Sequence, residues 1–213
     1  MEHVPEGRPT AGPHIDPDRP PPDKATLRRR LRATRATRDA AERHREDDAR
    51  TAHLIAWLAR LDPLRRVACY ESRDAEPDTA ALIRWLRARG VVVVVPHAWQ
   101  GPGNGAAPPR WAALGEDPPG DPAASGDALT AVDAILVPGL AGTRGGDRLG
   151  RGAGWYDRAL LQRRGGAPTC LLLYRDEVLS SLPTEPHDVA VNYLATPDGV
   201  VAAGCHDHLP GVT

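Results

Sequence analysis

The chain has 213 residues and a formal net charge of −1, with 27 lysine and arginine residues against 28 acidic ones. This length suits a single domain that buries a sizeable core. The near-balance of charge excludes a general nucleic-acid binder, which would carry a marked basic excess.

Cysteine usage and apolar runs indicate the compartment. Cys69, Cys170 and Cys205 lie far apart and form no C-x-x-C pair, so neither a disulfide framework nor a zinc site is expected. The longest apolar runs, such as Val91–Val95, are too short to span a bilayer. The first residues show no basic segment followed by an apolar stretch. We therefore expect a cytoplasmic monomer that binds neither membranes nor nucleic acids.

The first 23 residues are rich in proline and nearly free of large apolar side chains, which predicts a disordered tail over residues 1–23. Asp23 is placed to cap a helix that begins at Lys24. Lys24 is the only lysine among the 27 basic residues. One interpretation is that Lys24 is an ordinary surface residue of the helix. The other is that this position requires a compact charge on a flexible side chain, which is the kind of group that often binds phosphate.

Two helices are predicted at the start of the domain. In the first, Leu27 and Leu31 lie on one face, and the surrounding arginines, as far as Arg35, are expected to be mostly solvated. Asp39 is predicted to cap the second, which runs to about Arg60. The predicted buried side of this second helix comprises Ala41, Ala52, Ile55, Leu58 and Leu61.

Strands and helices alternate along the rest of the chain. Arg66–Tyr70 is predicted as the first strand, a helix follows from a cap at Asp78 or Thr79, and Val91–Val95 has the β-branched composition of a central parallel strand. Residues 97–128 are predicted to form a long loop. Further strands are predicted at 134–137, 169–174, 189–194 and 200–203, with helical turns at about 155–164 and 176–179. This order predicts a three-layer α/β/α domain with a mostly parallel central sheet over residues 24–204, followed by a short tail at 205–213.

The stretch Arg148-Leu-Gly-Arg-Gly-Ala-Gly-Trp-Tyr-Asp157, which we name the cradle loop, concentrates the chemistry of the chain. Its glycines allow backbone N–H groups to approach an anion closely at a helix start. Arg148 and Arg151 offer planar guanidinium groups that match phosphate oxygens, and Asp157 offers a hard oxygen of the kind Mg2+ takes. The alternative is a surface turn with solvated arginines. The common motifs G-x-x-x-x-G-K-[ST] and G-x-G-x-x-G are both absent here.

Together with the strand before it, the region from Asp133 to Leu160 resembles the signature of the 5-formyltetrahydrofolate cyclo-ligase family, close to P-G-x-A…G-x-R-L-G-x-G-x-G-[YF]-Y-D-R. The resemblance extends over about residues 24–196. It implies the same α/β/α architecture, with a site beyond the carboxyl ends of the strands. It also implies ATP- and Mg2+-dependent conversion of 5-formyltetrahydrofolate to 5,10-methenyltetrahydrofolate, with release of ADP and phosphate.

The resemblance assigns ATP contacts to Lys24 and Arg28, which are four residues apart and so share one helical face. The implied ATP site is completed by Arg148, Leu149, Gly150, Arg151, Gly152, Ala153, Gly154, Trp155 and Tyr156. It also assigns two Mg2+ ligands, Asp157 and the last residue of Glu185-Pro-His-Asp188. His187 is interpreted as a structural neighbour rather than a catalyst.

Folate binding is assigned by the same resemblance to Glu76, in the pattern Glu76-Pro-Asp-Thr79. Spacing alone would leave Glu76 as a solvated loop carboxylate near a helix start. The other implied folate contacts are Glu71, Arg151, Gly152, Gly154, Trp155 and Tyr156.

Several segments depart from the family pattern. Ala153 replaces the middle glycine, which requires a negative φ there, and Trp155 replaces a tyrosine or phenylalanine. Segments 97–128 and 141–144 have also lost family residues that help to wall the folate site. Two alternatives therefore stay open: a divergent paralogue that uses ATP and Mg2+ to activate another small acid or amide, and a non-catalytic folate- or nucleotide-binding protein.

Overall fold

A computed structural model describes residues 23–97, 109–117, 129–163 and 166–204. The helices are α1 (Lys24–Thr37), α2 (Ala40–Leu58), α3 (Ala80–Ala88) and α4 (Trp155–Leu160), and a 3-10 turn spans Arg175–Glu177. The strands are β1 (Arg66–Ala68), β2 (Val92–His97), β3 (Arg110–Ala113), β4 (Ala134–Pro138), β5 (Ala141–Thr143), β6 (Arg148–Leu149), β7 (Thr169–Leu172), β8 (Val178–Leu179), β9 (Tyr193–Thr196) and β10 (Gly199–Ala202). The predicted tails lie outside the described residues, apart from Asp23. Their assignment stays a prediction.

The main sheet has seven strands in the order β10-β9-β7-β4-β1-β2-β3. The five strands β9, β7, β4, β1 and β2 run parallel to one another, and the edge strands β10 and β3 pair antiparallel with β9 and β2. The predicted α/β fold with a mostly parallel central sheet is confirmed. β2, predicted to be central, is parallel to β1 on one side and antiparallel to β3 on the other.

Helices cover both faces of this sheet. On one face, α2 and α3 bury leucines against β1, β2 and β4; the principal contacts are Leu54, Leu58, Leu82, Leu86, Val67, Val93 and Leu136. On the other face, α4 and the segment before β4 complete a second apolar layer; its members include Leu129, Val132, Ile135, Val137, Ala159 and Leu160. Among the described residues, none of the helices has the length and apolarity needed to cross a membrane.

A small second sheet, in the order β6-β5-β8, joins the cradle loop to α1. Leu27 and Leu31 of α1 pack against Leu140, Ala141 and Leu149 of this sheet. The predicted cap of α1 is confirmed, since the side chain of Asp23 accepts a hydrogen bond from the N–H of Thr26 in the first turn. α1 therefore presents Lys24 and its neighbours to the first residues of the cradle loop.

The prediction that the arginines of α1 are mostly solvated is wrong for Arg35, which is only 4% exposed. Its Nε and Nη2 contact the two carboxylate oxygens of Glu177 at 2.6 and 2.7 Å. Its Nη2 also donates to the carbonyl oxygen of Gly139 at 2.5 Å. This buried ion pair joins α1 to the end of β4 and to the 3-10 turn.

The predicted buried side of α2 is also partly wrong. Ala41 and Ala52 are exposed, whereas Glu46, Arg50 and Leu54 are buried. The physical reason is that part of this helix packs on polar groups: the guanidinium of Arg50 donates to the carbonyl oxygen of Leu173 at 3.3 Å. A face chosen by apolar residues alone does not capture such packing.

Several strand assignments need correction. β5, β6 and β8 were not predicted, and β8 occupies the second half of the helical turn predicted at 176–179. β3 lies inside the predicted loop 97–128, where its Trp111 is buried against the sheet; residues 98–108 and 118–128 lie outside the described residues. The last parallel strand was predicted at 189–194 but is Tyr193–Thr196. It begins later because the N–H of Val191 donates to the carbonyl oxygen of Gly146, at 2.9 Å, rather than to a sheet neighbour.

Candidate active site

A cavity of about 660 Å3 opens at the carboxyl ends of the parallel strands. Tyr70 and Glu71 follow β1, Pro96 lies near the end of β2, and Pro138 and Gly139 come from the end of β4. Because open α/β sheets hold their ligands at this edge, the position agrees with the site predicted from the sequence.

The cavity brings together every residue predicted to bind ATP, folate or Mg2+. These are Lys24, Arg28, Glu71, Glu76, Arg148, Leu149, Gly150, Arg151, Gly152, Ala153, Gly154, Trp155, Tyr156, Asp157 and Asp188. Further residues that were not predicted as site residues also line the cavity, among them Asp23, Tyr70, Arg73, Pro138, Gly139 and Glu185.

The cradle loop takes the conformation that its glycines allow. Gly152 has φ +110° and Gly154 has φ +63°, and Gly154 is the residue from which α4 begins. Both values lie in the region that L side chains rarely adopt. Ala153 is absent from the positive-φ residues of the described chain, so its replacement of the family glycine is compatible with the loop.

Two arginines of α1 hold the loop through its carbonyl oxygens. Arg28 Nε donates to the carbonyl of Gly150 at 2.9 Å, and Arg32 Nη2 donates to that of Arg151 at 2.8 Å. A loop fastened by its carbonyl groups can turn its N–H groups towards an anion. Arg32 was not predicted as a site residue, and nothing in its sequence context distinguishes it from the neighbouring arginines.

Lys24 lies between two carboxylates. Its Nζ is 2.6 Å from Glu185 Oε2 and 2.6 Å from Asp188 Oδ2. Burial lowers the pKa of Lys24, but the hydrogen bonds to Asp188 and Glu185 outweigh it, so the pKa is raised. Burial likewise raises the pKa of Asp188, and the bonds from Lys24 and from the Glu185 N–H outweigh it, so that pKa is lowered. The net pKa shifts of Lys24 and Asp188 both favour the charged forms.

Asp157 is held in a similar way by Arg148. Arg148 Nη2 is 2.5 Å from Asp157 Oδ1, and the same oxygen accepts the N–H of Val189 at 3.3 Å. Val189 follows Asp188 directly, so the backbone beside one predicted metal ligand contacts the carboxylate of the other. Their carboxylates are hard oxygen donors, and one or two such donors fit the way Mg2+ is bound beside substrate phosphates.

The cavity is also lined by a cluster of potential metal ligands, formed by Glu185, His187 and Asp188. One potential ligand atom from each lies within 4.8 Å of the others. Sequence analysis treated His187 as a structural neighbour and did not assign Glu185. Glu185 could have been predicted as a site residue, because it is the first residue of the four-residue pattern that ends at Asp188.

Glu76 is a half-buried residue rather than a solvated one, and only 9% of its side chain is exposed. Arg151 Nε lies 3.1 Å from Glu76 Oε1, and the N–H of Arg73 donates to Oε2 at 3.1 Å. Glu71 is exposed and lines the cavity beside it. The carboxylate of Glu76 thus contacts the cradle loop directly, through Arg151.

Tyr156 supplies a buried hydroxyl at the same place. Burial raises the pKa of this phenol well above its usual value, and the hydroxyl has no hydrogen-bond partner within the described parts of the chain. Its ring meets Trp111 edge-on, with centroids 6.0 Å apart. The guanidinium carbon of Arg148 is 6.0 Å from the ring centroid. Trp155 lines the cavity beside it.

The fold and the cavity define an α/β protein with a polar, arginine-rich site beneath a glycine loop, at the carboxyl edge of a parallel sheet. A model of the 5-formyltetrahydrofolate cyclo-ligase family matches residues 21–197. The 5-formyltetrahydrofolate cyclo-ligase of Mycolicibacterium smegmatis is 36% identical over 194 residues, covering 85% of this chain and 98% of that protein. The mouse (Mus musculus) protein of the same name is 27% identical over 186 residues, 79% of this chain and 89% of its own. The chain belongs to the 5-formyltetrahydrofolate cyclo-ligase family, a family of ligases.

Solved structures agree on the fold. The 5,10-methenyltetrahydrofolate synthetase of Mycoplasma pneumoniae superposes with a TM-score of 0.70 at 20% identity, over 82% of this chain and 99% of that one. The protein of the same name from Aquifex aeolicus gives a TM-score of 0.65 at 21% identity, over 88% and 99%. The family resemblance seen around the cradle loop is confirmed.

Proposed function

We propose that this protein converts 5-formyltetrahydrofolate to 5,10-methenyltetrahydrofolate, using ATP and Mg2+ and releasing ADP and phosphate. The observation that carries the proposal is one cavity lined by the cradle loop, by the carboxylates of Asp157 and Asp188, and by Glu76. The relatives that match nearly full length are named for this reaction. Free, buried thiols at Cys69 and Cys170 support our proposal of a reducing, cytoplasmic location, and we expect a monomer.

The proposed chemistry needs positioning and charge neutralisation more than covalent help from the protein. The formyl oxygen attacks the γ-phosphorus of ATP and ADP leaves, which gives an imidate phosphate. Attack by N10 on the activated formyl carbon then closes the ring, and the carbon–oxygen bond to phosphate breaks as the N10 proton is lost to the departing phosphate or to solvent. Lys24, Arg148 and Arg151 would offset the charge of the transferring phosphoryl group. Bound Mg2+, held by Asp157 and Asp188, would neutralise further phosphate charge.

Glu76 is the residue that best separates folate from nucleotide binding. Its largely shielded carboxylate follows β1 and lines the same cavity, where it pairs with Arg151. A carboxylate of this kind can accept N–H groups from a pterin, and a charge-assisted bond contributes about 1.5–3 kcal/mol. Trp155 and Tyr156 would line the junction between the two substrates.

The test follows formation of the methenyl product by its absorbance, with ATP binding measured separately. Glu76→Gln should raise the KM for 5-formyltetrahydrofolate by about tenfold to a hundredfold and leave ATP–Mg2+ affinity nearly unchanged. Asp74→Asn is a matched control, because Asp74 also contacts Arg151, at 3.5 Å, but its side chain is 80% exposed. A wild-type protein that binds ATP–Mg2+ but forms no methenyl product, with Glu76→Gln indistinguishable from it, would contradict the folate assignment. The activated acceptor would then be another small acid or amide.

A further inference from the structure

Both carboxylates proposed to hold Mg2+ are already paired with cationic side chains of the same cavity. Lys24 Nζ lies 2.6 Å from Asp188 Oδ2, and Arg148 Nη2 lies 2.5 Å from Asp157 Oδ1. These two cations are also the side chains proposed to contact phosphate. The arrangement therefore places each proposed metal ligand in contact with a proposed phosphate ligand.

We propose that the site works by an exchange of partners. In the ligand-free protein, Lys24 and Arg148 act as counter-cations for Asp188 and Asp157, and they keep a divalent cation from binding alone. A polyphosphate draws the two cations towards its oxygens and frees the carboxylates, so that nucleotide and metal bind together. This inference rests on the proposed function, because it assigns the order in which the nucleotide site fills.

The charges of the cluster support this exchange. Two cations, Lys24 and Arg148, face three carboxylates, Glu185, Asp157 and Asp188. The formal sum is 2 − 3, or about one negative charge, which attracts a dication only weakly. The pairs are also shielded from water: the side chain of Lys24 is 15% exposed and that of Arg148 is 3% exposed. Salt therefore screens them less than it screens surface pairs.

Glu185 has a distinct part in this exchange. It contacts Lys24 at 2.6 Å, yet its side chain is 54% exposed, so it lies at the rim of the cavity. When Asp188 turns to the metal, Glu185 still holds the ammonium beside the cavity. We therefore assign Glu185 as a positioning residue for Lys24, whose flexible stem allows the movement.

The test measures binding of Mn2+ alone to the folded protein by electron paramagnetic resonance, without nucleotide or folate. Mn2+ accepts the same carboxylate and water ligands as Mg2+. Lys24→Met should tighten Mn2+ binding at least tenfold, whereas Arg30→Met should leave it unchanged. Arg30 is exposed on the same helix, so this control removes an equal charge away from the carboxylates. Adding Asp188→Asn to Lys24→Met should abolish the gain, and thermal melting shows that each variant is folded.

A second arm adds a non-hydrolysable ATP analogue. Linkage requires that the analogue tighten Mn2+ binding much more in the wild type than in Lys24→Met, because the variant has no ammonium left to release. The exchange is overturned if the wild type binds Mn2+ alone as tightly as Lys24→Met does. It is also overturned if Arg30→Met produces the same gain. Since the first arm involves no turnover, it gives its answer whether or not the protein forms methenyl product.

Discussion

Replacing Arg35 should destabilise the protein far more than replacing any solvated arginine of the same helix. Arg35→Met keeps an unbranched side chain but removes the guanidinium, which leaves the carboxylate of Glu177 buried at 2% exposure without its ion-pair partner. Breaking one side of a buried ion pair costs about 3–5 kcal/mol, because the remaining charge is neither solvated nor neutralised. The carbonyl of Gly139 loses a donor as well. We therefore expect a loss of about 3–5 kcal/mol in the free energy of unfolding.

Urea unfolding of four variants, namely Arg29→Met, Arg35→Met, Glu177→Gln and the double variant, checks this value. Arg29→Met, at an exposed position of α1, should lie within about 0.5 kcal/mol of the wild type. Combining Arg35→Met with Glu177→Gln should cost less than the sum of the single changes, by about 0.5–3 kcal/mol, because the pair interacts directly. A loss below about 1 kcal/mol for Arg35→Met, or strict additivity in the double variant, would refute the reasoning.

Two further predictions concern the cavity. Gly152→Ala should lose about 1–3 kcal/mol of stability, because φ +110° strains an L side chain, and it should also raise the ATP KM. Gly166→Ala is the control, because Gly166 has φ +96° but lies outside the cavity. This control should lose similar stability and leave the ATP KM unchanged. Equal ATP kinetics for the two variants would show that Gly152 serves only the turn. Asp157→Asn combined with Asp188→Asn should lose little more kcat/KM than the worse single change, whereas fully additive losses would give the two carboxylates separate roles.

Local signals in the sequence were enough to locate the helices and most strands. Asp23 and Asp39 cap α1 and α2 as their side-chain chemistry predicts, and the β-branched run after Gly90 forms a parallel strand. The cradle loop and the Glu185–Asp188 pattern also identified residues that prove to share one cavity. These features depend on residues that are only a few positions apart, so they can be recognised from the sequence alone.

Features that depend on distant partners were missed. Arg35 is buried because Glu177, 142 residues later, neutralises it, and periodicity treats any arginine as solvated. The start of β9 was placed too early because Val191 looks like a strand residue but bonds to Gly146. The small sheet has strands of two or three residues, which is too short for an alternation to be recognised. Tertiary contacts decide each of these cases.

The position of Lys24 has a consequence for covalent chemistry. It is the only lysine of the chain, and it lines the cavity with its amine held between two carboxylates. Acylating or alkylating reagents that seek side-chain amines therefore have one target, in the ligand cavity, and they react with it slowly while its raised pKa keeps it protonated. In most proteins, lysine modification occurs at many surface positions. In this chain it can occur only at Lys24, so its rate reports whether the cavity is occupied by a ligand.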